Sequence, residues 1–183
     1  MSGGHAHADP SNKKIALLIA VMVLFLALAE TLAKGSQTNA LAANIEASNL
    51  WSFFQAKTVR QTALRAQSEA AALIPGAAPE ALAKQQAAWK ASIDRWESEP
   101  DTGEGRKELI GRAKKSEALR DLSMAKYHHF EMASAAFQIA MVLASAAIIT
   151  AVGALIWVGA GVGLIGIAFM AIGLFAPHAV HIF

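Results

Sequence analysis

Glu30, Lys126, His128, His129 and Glu131 are the side chains with the widest chemical reach in this 183-residue chain. Glu30 closes one hydrophobic segment and Glu131 opens the next, so both carboxylates are expected near the same membrane surface, with Lys34 and Lys126 at that level. Such a set could form an interfacial ion-pair cluster or a proton-handling site. Ordinary anchoring by charged and amphipathic residues, Tyr127 included, explains the same composition more simply. A zinc site from His128, His129 and one glutamate is disfavoured because adjacent histidines point to different faces of a helix. His5 and His7 stand in a polar N-terminal stretch as solvated imidazoles, and His178 and His181 share an i, i+3 spacing in a frayed C-terminal tail.

Nucleophilic chemistry lacks candidates. There is no cysteine, which excludes thiolates, disulfides and Cys-bound metals. No serine or threonine stands beside a His/Asp pair in the polar middle of the chain, whose only histidines lie at its edge. Gly161-Val162-Gly163-Leu164-Ile165-Gly166 spells the GxGxxG dinucleotide pattern, but that pattern needs a strand before it and an acid about 20 positions after it. No charged residue follows Glu131. The expectation is a non-enzymatic protein without cofactor or metal.

A different kind of information is concentrated in Asn49–Thr62, where Trp51, Phe53 and Phe54 are interleaved with amides, hydroxyls and two cations. Leu50, Phe53 and Phe54 share a helical face. Asn44, Ser48, Trp51, Gln55, Thr58 and Thr62 recur at spacings of three and four, a polar stripe beside the apolar one. Exposed aromatics forgo roughly 25 cal/mol per Å² of burial, so these rings must be covered. Asn44, Gln55, Thr58 and Gln61 then need partners of their own, supplied within a helical hairpin or by another chain. Trp51, Phe54 and Gln55 are expected at a helix–helix interface.

Composition points to a membrane protein: 55% of residues are hydrophobic and only 16% charged. The apolar residues collect in Ile15–Ala29 and Met132–Ala176, whereas 14 of the 16 Lys and Arg lie between Lys34 and Lys126, interspersed with acids. No basic face results, which argues against nucleic-acid binding. The expected order is a tail (Met1–Asn12), a first span (Lys13–Ala33), an extramembrane helical region (Lys34–His129), two further spans (Phe130–Val152 and Ala154–Ala176) and a short tail (Pro177–Phe183).

Ser11 or Asp9 can cap the first helix. Ala27-Leu28-Ala29 mimics a signal-peptide cleavage site, but a retained anchor is favoured because the helix-compatible sequence continues into Thr38–Ile74. Pro75-Gly76-Ala77-Ala78-Pro79 stops that helix, and Glu80–Glu97 restarts as another with a Leu82, Trp89, Ile93, Trp96 stripe that packs on a neighbour. A second turn at Ser98–Gly105 precedes a helix running into the next hydrophobic segment. Met132–Ala176, as a single helix of 45 residues, would rise about 67 Å against a bilayer core of roughly 30 Å, so it must fold back, with Gly153 as the expected turn. Ala136, Ala140, Ala144 and Ala147 line one side of the resulting pair. Gly159, Gly163, Gly166 and Gly173 line the other, small faces that allow close helix contact in lipid.

This arrangement, with the run "ALAANIEASNLWSFFQAKTVRQT", resembles the bacterial membrane-protein family DUF4337, a domain of unknown function. The resemblance covers nearly the whole chain and implies an architecture, a bacterial inner-membrane location and a cytoplasmic N-terminus, but no activity. The charges themselves conflict on orientation: Lys13 and Lys14 against Lys34 favour a cytoplasmic N-terminus, whereas Lys114, Lys115, Arg120 and Lys126 favour a cytoplasmic middle region. The fold expectation is all-α with three transmembrane helices and an extramembrane antiparallel helical region. The functional expectation is a scaffold or interaction module in membrane lipid, self-assembling as a homo-oligomer or serving as an accessory subunit of a larger membrane complex. The alternative is a channel- or transporter-associated subunit that uses the Glu/His cluster.

Overall fold

Among the described residues the fold is built from four helices: α1 (Pro10–Ala72), α2 (Pro79–Glu97), α3 (Arg106–Thr150) and α4 (Ala154–Phe175). The computed structural model describes residues 10–76 and 78–179, so His5, His7, Asp9 and His181 lie outside the described residues. Helix α1 already begins at Pro10, ahead of the expected Lys13, because proline is tolerated in a first turn whose N–H groups have no intrahelical acceptor. Its 63 residues run without a break because Gly35 is the only glycine within it and no proline follows until Pro75. Buried positions recur at intervals of seven at Ile15, Met22, Ala29 and Ser36, and again at Leu50 and Lys57, with half-buried Ala43 between the two sets.

The breaks fall where backbone chemistry demands them. Gly76 adopts a left-handed φ of +79° after Pro75, and Pro79 opens α2. Gly103, at φ +68°, turns the chain toward α3. Between α3 and α4 the expected reversal at Gly153 is corrected in one respect: Ala151 takes the left-handed conformation at φ 56°, while Gly153 is right-handed at φ −60° and heads α4. No glycine stands directly after α3, so an alanine bears a conformational cost of about 1–2 kcal/mol.

The helices contribute to two compact units. One comprises the described residues through Ala40 together with those from Asp121 onward. Its core is Ala29, Ala133, Phe137 and Met170, with Phe25, Leu26, Leu32 and Phe169 packed around them. Phe25 stacks on Phe137 at 5.7 Å between ring centroids. The alanine face of α3 is buried as its spacing predicts, and α4 buries Gly159, Gly163, Gly166 and Gly173. Among the described residues, three helices are long and apolar enough to cross a membrane: α1, α3 and α4.

The second unit, Leu41–Arg120, holds segments of α1 and α3 with α2. Gln61 meets Ile93 and Glu97, and Ser68 meets Gln86, so α2 runs antiparallel to α1. Leu82, Trp89, Ile93 and Trp96 are all half-buried, and α2 has no fully buried residue. The apolar core of this unit is small, Leu50, Leu109 and Ala113, with Trp51, Phe53 and Phe54 against it. Full burial of a leucine contributes about 1.5–3 kcal/mol. So small a core leaves polar contacts an unusually large share of the packing.

Candidate functional site

Helix α1 turns a different chemistry to each side within Leu41–Arg120. Its inward side is Ala47, Leu50, Phe54, Lys57 and Gln61, at alternating spacings of three and four. Lys57 and Gln61 are only 4% and 2% exposed. Burying a cation and an amide without partners would cost several kcal/mol, and the residues that prevent this come from α2, α3 and the turn between them.

Arg106, the first residue of α3, is the hub. Its Nε donates to Thr58 Oγ1 at 3.0 Å, and its Nη1 donates to Gln61 Oε1 at 2.8 Å and to Glu97 Oε2 at 2.7 Å. The guanidinium also lies over the Phe54 ring, 4.8 Å from its centroid. Gln61 Nε2 donates to Ile93 O and to Glu97 Oε2 at 2.9 and 3.2 Å, so one amide joins all three helices. Lys57 Nζ lies 4.9 Å over the Phe53 ring and 3.7 Å from Glu99. Trp51 Nε1 donates to Glu117 Oε1 at 2.8 Å while its ring meets Phe54 edge-on.

Glu108 holds the preceding turn by accepting from Ser98 Oγ at 2.7 Å and from the Glu99 N–H at 3.1 Å. Glu97 and Glu108 both titrate below the ordinary carboxylate value. The Gln61 amide is the main cause at Glu97, helped by the Arg106 charge; at Glu108 it is the Ser98 hydroxyl. A carboxylate whose folded pKa is depressed contributes stability that is fully present above its unfolded pKa, about 4.3, and is lost as pH falls through the folded value. The Leu41–Arg120 unit is therefore expected to melt at progressively lower temperature as pH drops below about 4.3. Glu97→Gln should flatten that dependence, and thermal melts of both proteins at pH 7 and in acid check it.

Of the residues expected at an interface, Trp51, Phe53 and Phe54 are drawn into the inward cluster, and Thr58 accepts from Arg106 while its own hydroxyl bonds Phe54 O at 2.8 Å. Asn44 and Gln55 are exposed. The reason is rotational: with Leu50, Phe54, Lys57 and Gln61 facing in, residue 55 is carried outward by the roughly 100° step per residue of an α-helix. Sequence reasoning singled out neither Lys57 nor Arg106, nor the acids Glu97, Glu99, Glu108 and Glu117. The one local signal was a cation four residues after Phe53.

The outward side of α1 is of another kind. Leu41, Ile45 and Val59 are 60%, 52% and 68% exposed, in line with exposed Ser48, Ser52, Gln55, Thr62 and Ala66. No charge interrupts that line: Glu46, Lys57, Arg60 and Arg65, the only charged residues between Leu41 and Ala66, lie off it.

In the other unit, Glu30, Lys34, Tyr127 and Glu131 line one cavity of about 600 Å³, together with Ser134 and Gln37. Tyr127 donates to Glu131 at 2.9 Å, His128 Nδ1 lies 3.9 Å from the same carboxylate, and Glu30 accepts from Gln138 at 3.4 Å. His129 turns the other way. It is buried against Phe169, its Nε2 is 3.1 Å from the Pro177 carbonyl, and its Nδ1 has no partner among the described residues. A carbonyl only accepts, so Nε2 carries the hydrogen. The two histidines thus serve separate surroundings, and Lys126 is half-buried on the same helix. On α4, a Cβ added at Gly159 would lie 3.0 Å from Ala140 O, and one at Gly166 would lie 3.0 Å from the Phe137 ring. At Gly163 it would meet Met22 Cε at 3.1 Å.

The chain matches no curated protein and no solved structure. Residues 11–176 match the family described as Domain of unknown function (DUF4337), and the chain belongs to that family.

Proposed function

We propose that this protein is a membrane-anchored helical interaction module of the bacterial inner membrane, non-enzymatic, which assembles through the Leu41–Arg120 unit. One observation carries the reading: α1 offers an unbroken, uncharged outward line from Leu41 to Ala66 while its inward side is held by Arg106. A helix that met only water would gain nothing by exposing Leu41 and Ile45 one turn apart, with Val59 further along the same uncharged line. The buried clamp serves such a role by fixing the rotation of α1, so that one face is always presented. The cationic side chains of the clamp are engaged with carboxylates and rings of the same chain, which suits positioning rather than catalysis.

Purification of the full chain in mild detergent tests the reading. The expected particle is heavier than one 19.2 kDa chain, either as a multiple of it or with a second subunit. A particle of one chain alone overturns the proposal. A second reading, a subunit associated with a channel or transporter, draws on the cavity shared by Glu30 and Glu131. It expects Glu131→Gln to alter ion or proton flux in membranes with assembly unchanged.

A further inference from the structure

We infer that the occupant of the outward face of α1 is the same face of a second copy, packed as a parallel, in-register two-stranded coiled coil. The inference rests on the interaction-module reading and names its partner. The outward residues follow the alternating spacing of three and four that defines a heptad seam, with Ile45, Ser52, Val59 and Ala66 at the a positions and Leu41, Ser48, Gln55 and Thr62 at the d positions. β-Branched residues at a together with leucine at d favour two strands in parallel pairs; Ile45 and Val59 hold a positions, and Leu41 holds a d position. The intrachain contacts of Leu50, Phe54, Lys57 and Gln61 fall on the c and f positions, away from this seam.

The composition of the face suits self-pairing. In a symmetric pair each seam residue meets its own copy, so a charge would repel itself, and the a, d and e positions from Leu41 to Ala66 contain none. Polar seam residues must be satisfied when buried. Ser52 Oγ already donates to Ser48 O at 2.9 Å, and Thr62 Oγ1 to Thr58 O at 3.0 Å, so these hydroxyls can enter an interface without losing a donor's partner. Gln55 has no such internal bond among the described residues, but its amide is both donor and acceptor and complements a copy of itself. Of the four polar seam residues Gln55 alone carries an amide, and its pairing with its own copy fixes register. Beside the seam, the g residue of one helix neighbours the following e residue of its partner, which brings exposed Asn44 of one copy to exposed Asn49 of the other, again amide to amide. Direction is set by anchoring. Helix α1 is continuous from its apolar segment into this face, so two copies held in one bilayer present it with the same polarity.

The chain has no cysteine, so single-cysteine variants report without background. The test introduces Ile45→Cys, Ser52→Cys or Val59→Cys at a positions, and Arg60→Cys or Gln67→Cys at exposed positions off the seam, in the full chain in its membrane. Disulfide formation requires Cα atoms within about 7 Å, so linked dimers are expected on the order of tenfold more abundant at the three a positions. Ser52→Glu placed beside Val59→Cys should lower linkage to the Arg60→Cys level, with melting of the single chain unchanged. Equal linkage at all five positions, no linkage at the a positions, or linkage indifferent to Ser52→Glu overturns the pairing. If linkage fails while the purified particle still exceeds one chain, self-pairing falls and the module reading stands. If the particle is a single chain, both fall.

Discussion

Replacing Arg106 by alanine is expected to destabilise the Leu41–Arg120 unit by about 2–3 kcal/mol, because three charge-assisted hydrogen bonds and a ring contact vanish together. The larger part of that loss is the condition in which the partners are left. Gln61 is nearly inaccessible to water, so its Oε1 would have no donor, and Glu97 would lose the cation that balances it. Solvent softens the effect, since 22% of the Arg106 side chain and 37% of Glu97 are exposed. Arg106→Lys keeps the charge but replaces a rigid fork by one ammonium, and it should recover only part of the loss. Thermal unfolding of the full chain in detergent measures both. An Arg106→Ala protein as stable as the parent would mean that the clamp does not fix α1.

The second large effect is expected in the other unit. Gly159→Leu would place a Cβ 3.0 Å from the Ala140 carbonyl oxygen and 3.6 Å from Ala144 N, and backbone cannot swing aside. Separation of α4 from α3 should cost about 1–3 kcal/mol. Gly163→Ala is a graded comparison. Its obstacle at 3.1 Å is the terminal methyl of Met22, a flexible group that can yield, so the loss should be smaller. Gly161→Ala meets nothing within 4 Å and should be neutral or slightly stabilising, since alanine is the better helix former by about 1 kcal/mol. The order of melting temperatures, Gly161→Ala above Gly163→Ala above Gly159→Leu, is the readout.

The parts of this molecule that were legible in its sequence are those governed by local rules. Pro75-Gly76 and Pro79 end one helix and begin the next by removing or freeing backbone options, and no distant residue can change that. The facing alanines and glycines of α3 and α4 were legible because close approach in an apolar setting has few solutions. The Arg106 clamp was not, since its contacts join residues 45 and 48 positions apart in sequence and depend on how α1 is rotated. Trp51 and Gln55 stand four residues apart, about 40° around the helix, and that small step separates half-buried Trp51, which reaches Glu117 and Phe54, from exposed Gln55. The cluster at Glu30 and Glu131 shows the same limit. Both residues line one cavity, yet each is engaged by a neighbour, Gln138 or Tyr127, that charge counting did not suggest.

The outward face of α1 is the central claim, and Val59 is its most informative position. Val59 is 68% exposed, so Val59→Glu removes little packing from the isolated chain while setting two like charges against each other in a symmetric assembly. The decisive measurement is native mass of the full protein in mild detergent, parent against Val59→Glu, with thermal melting followed in parallel. The account predicts that the parent exceeds one 19.2 kDa chain and that the variant falls to one chain with its helices intact. A variant of undiminished mass would contradict it.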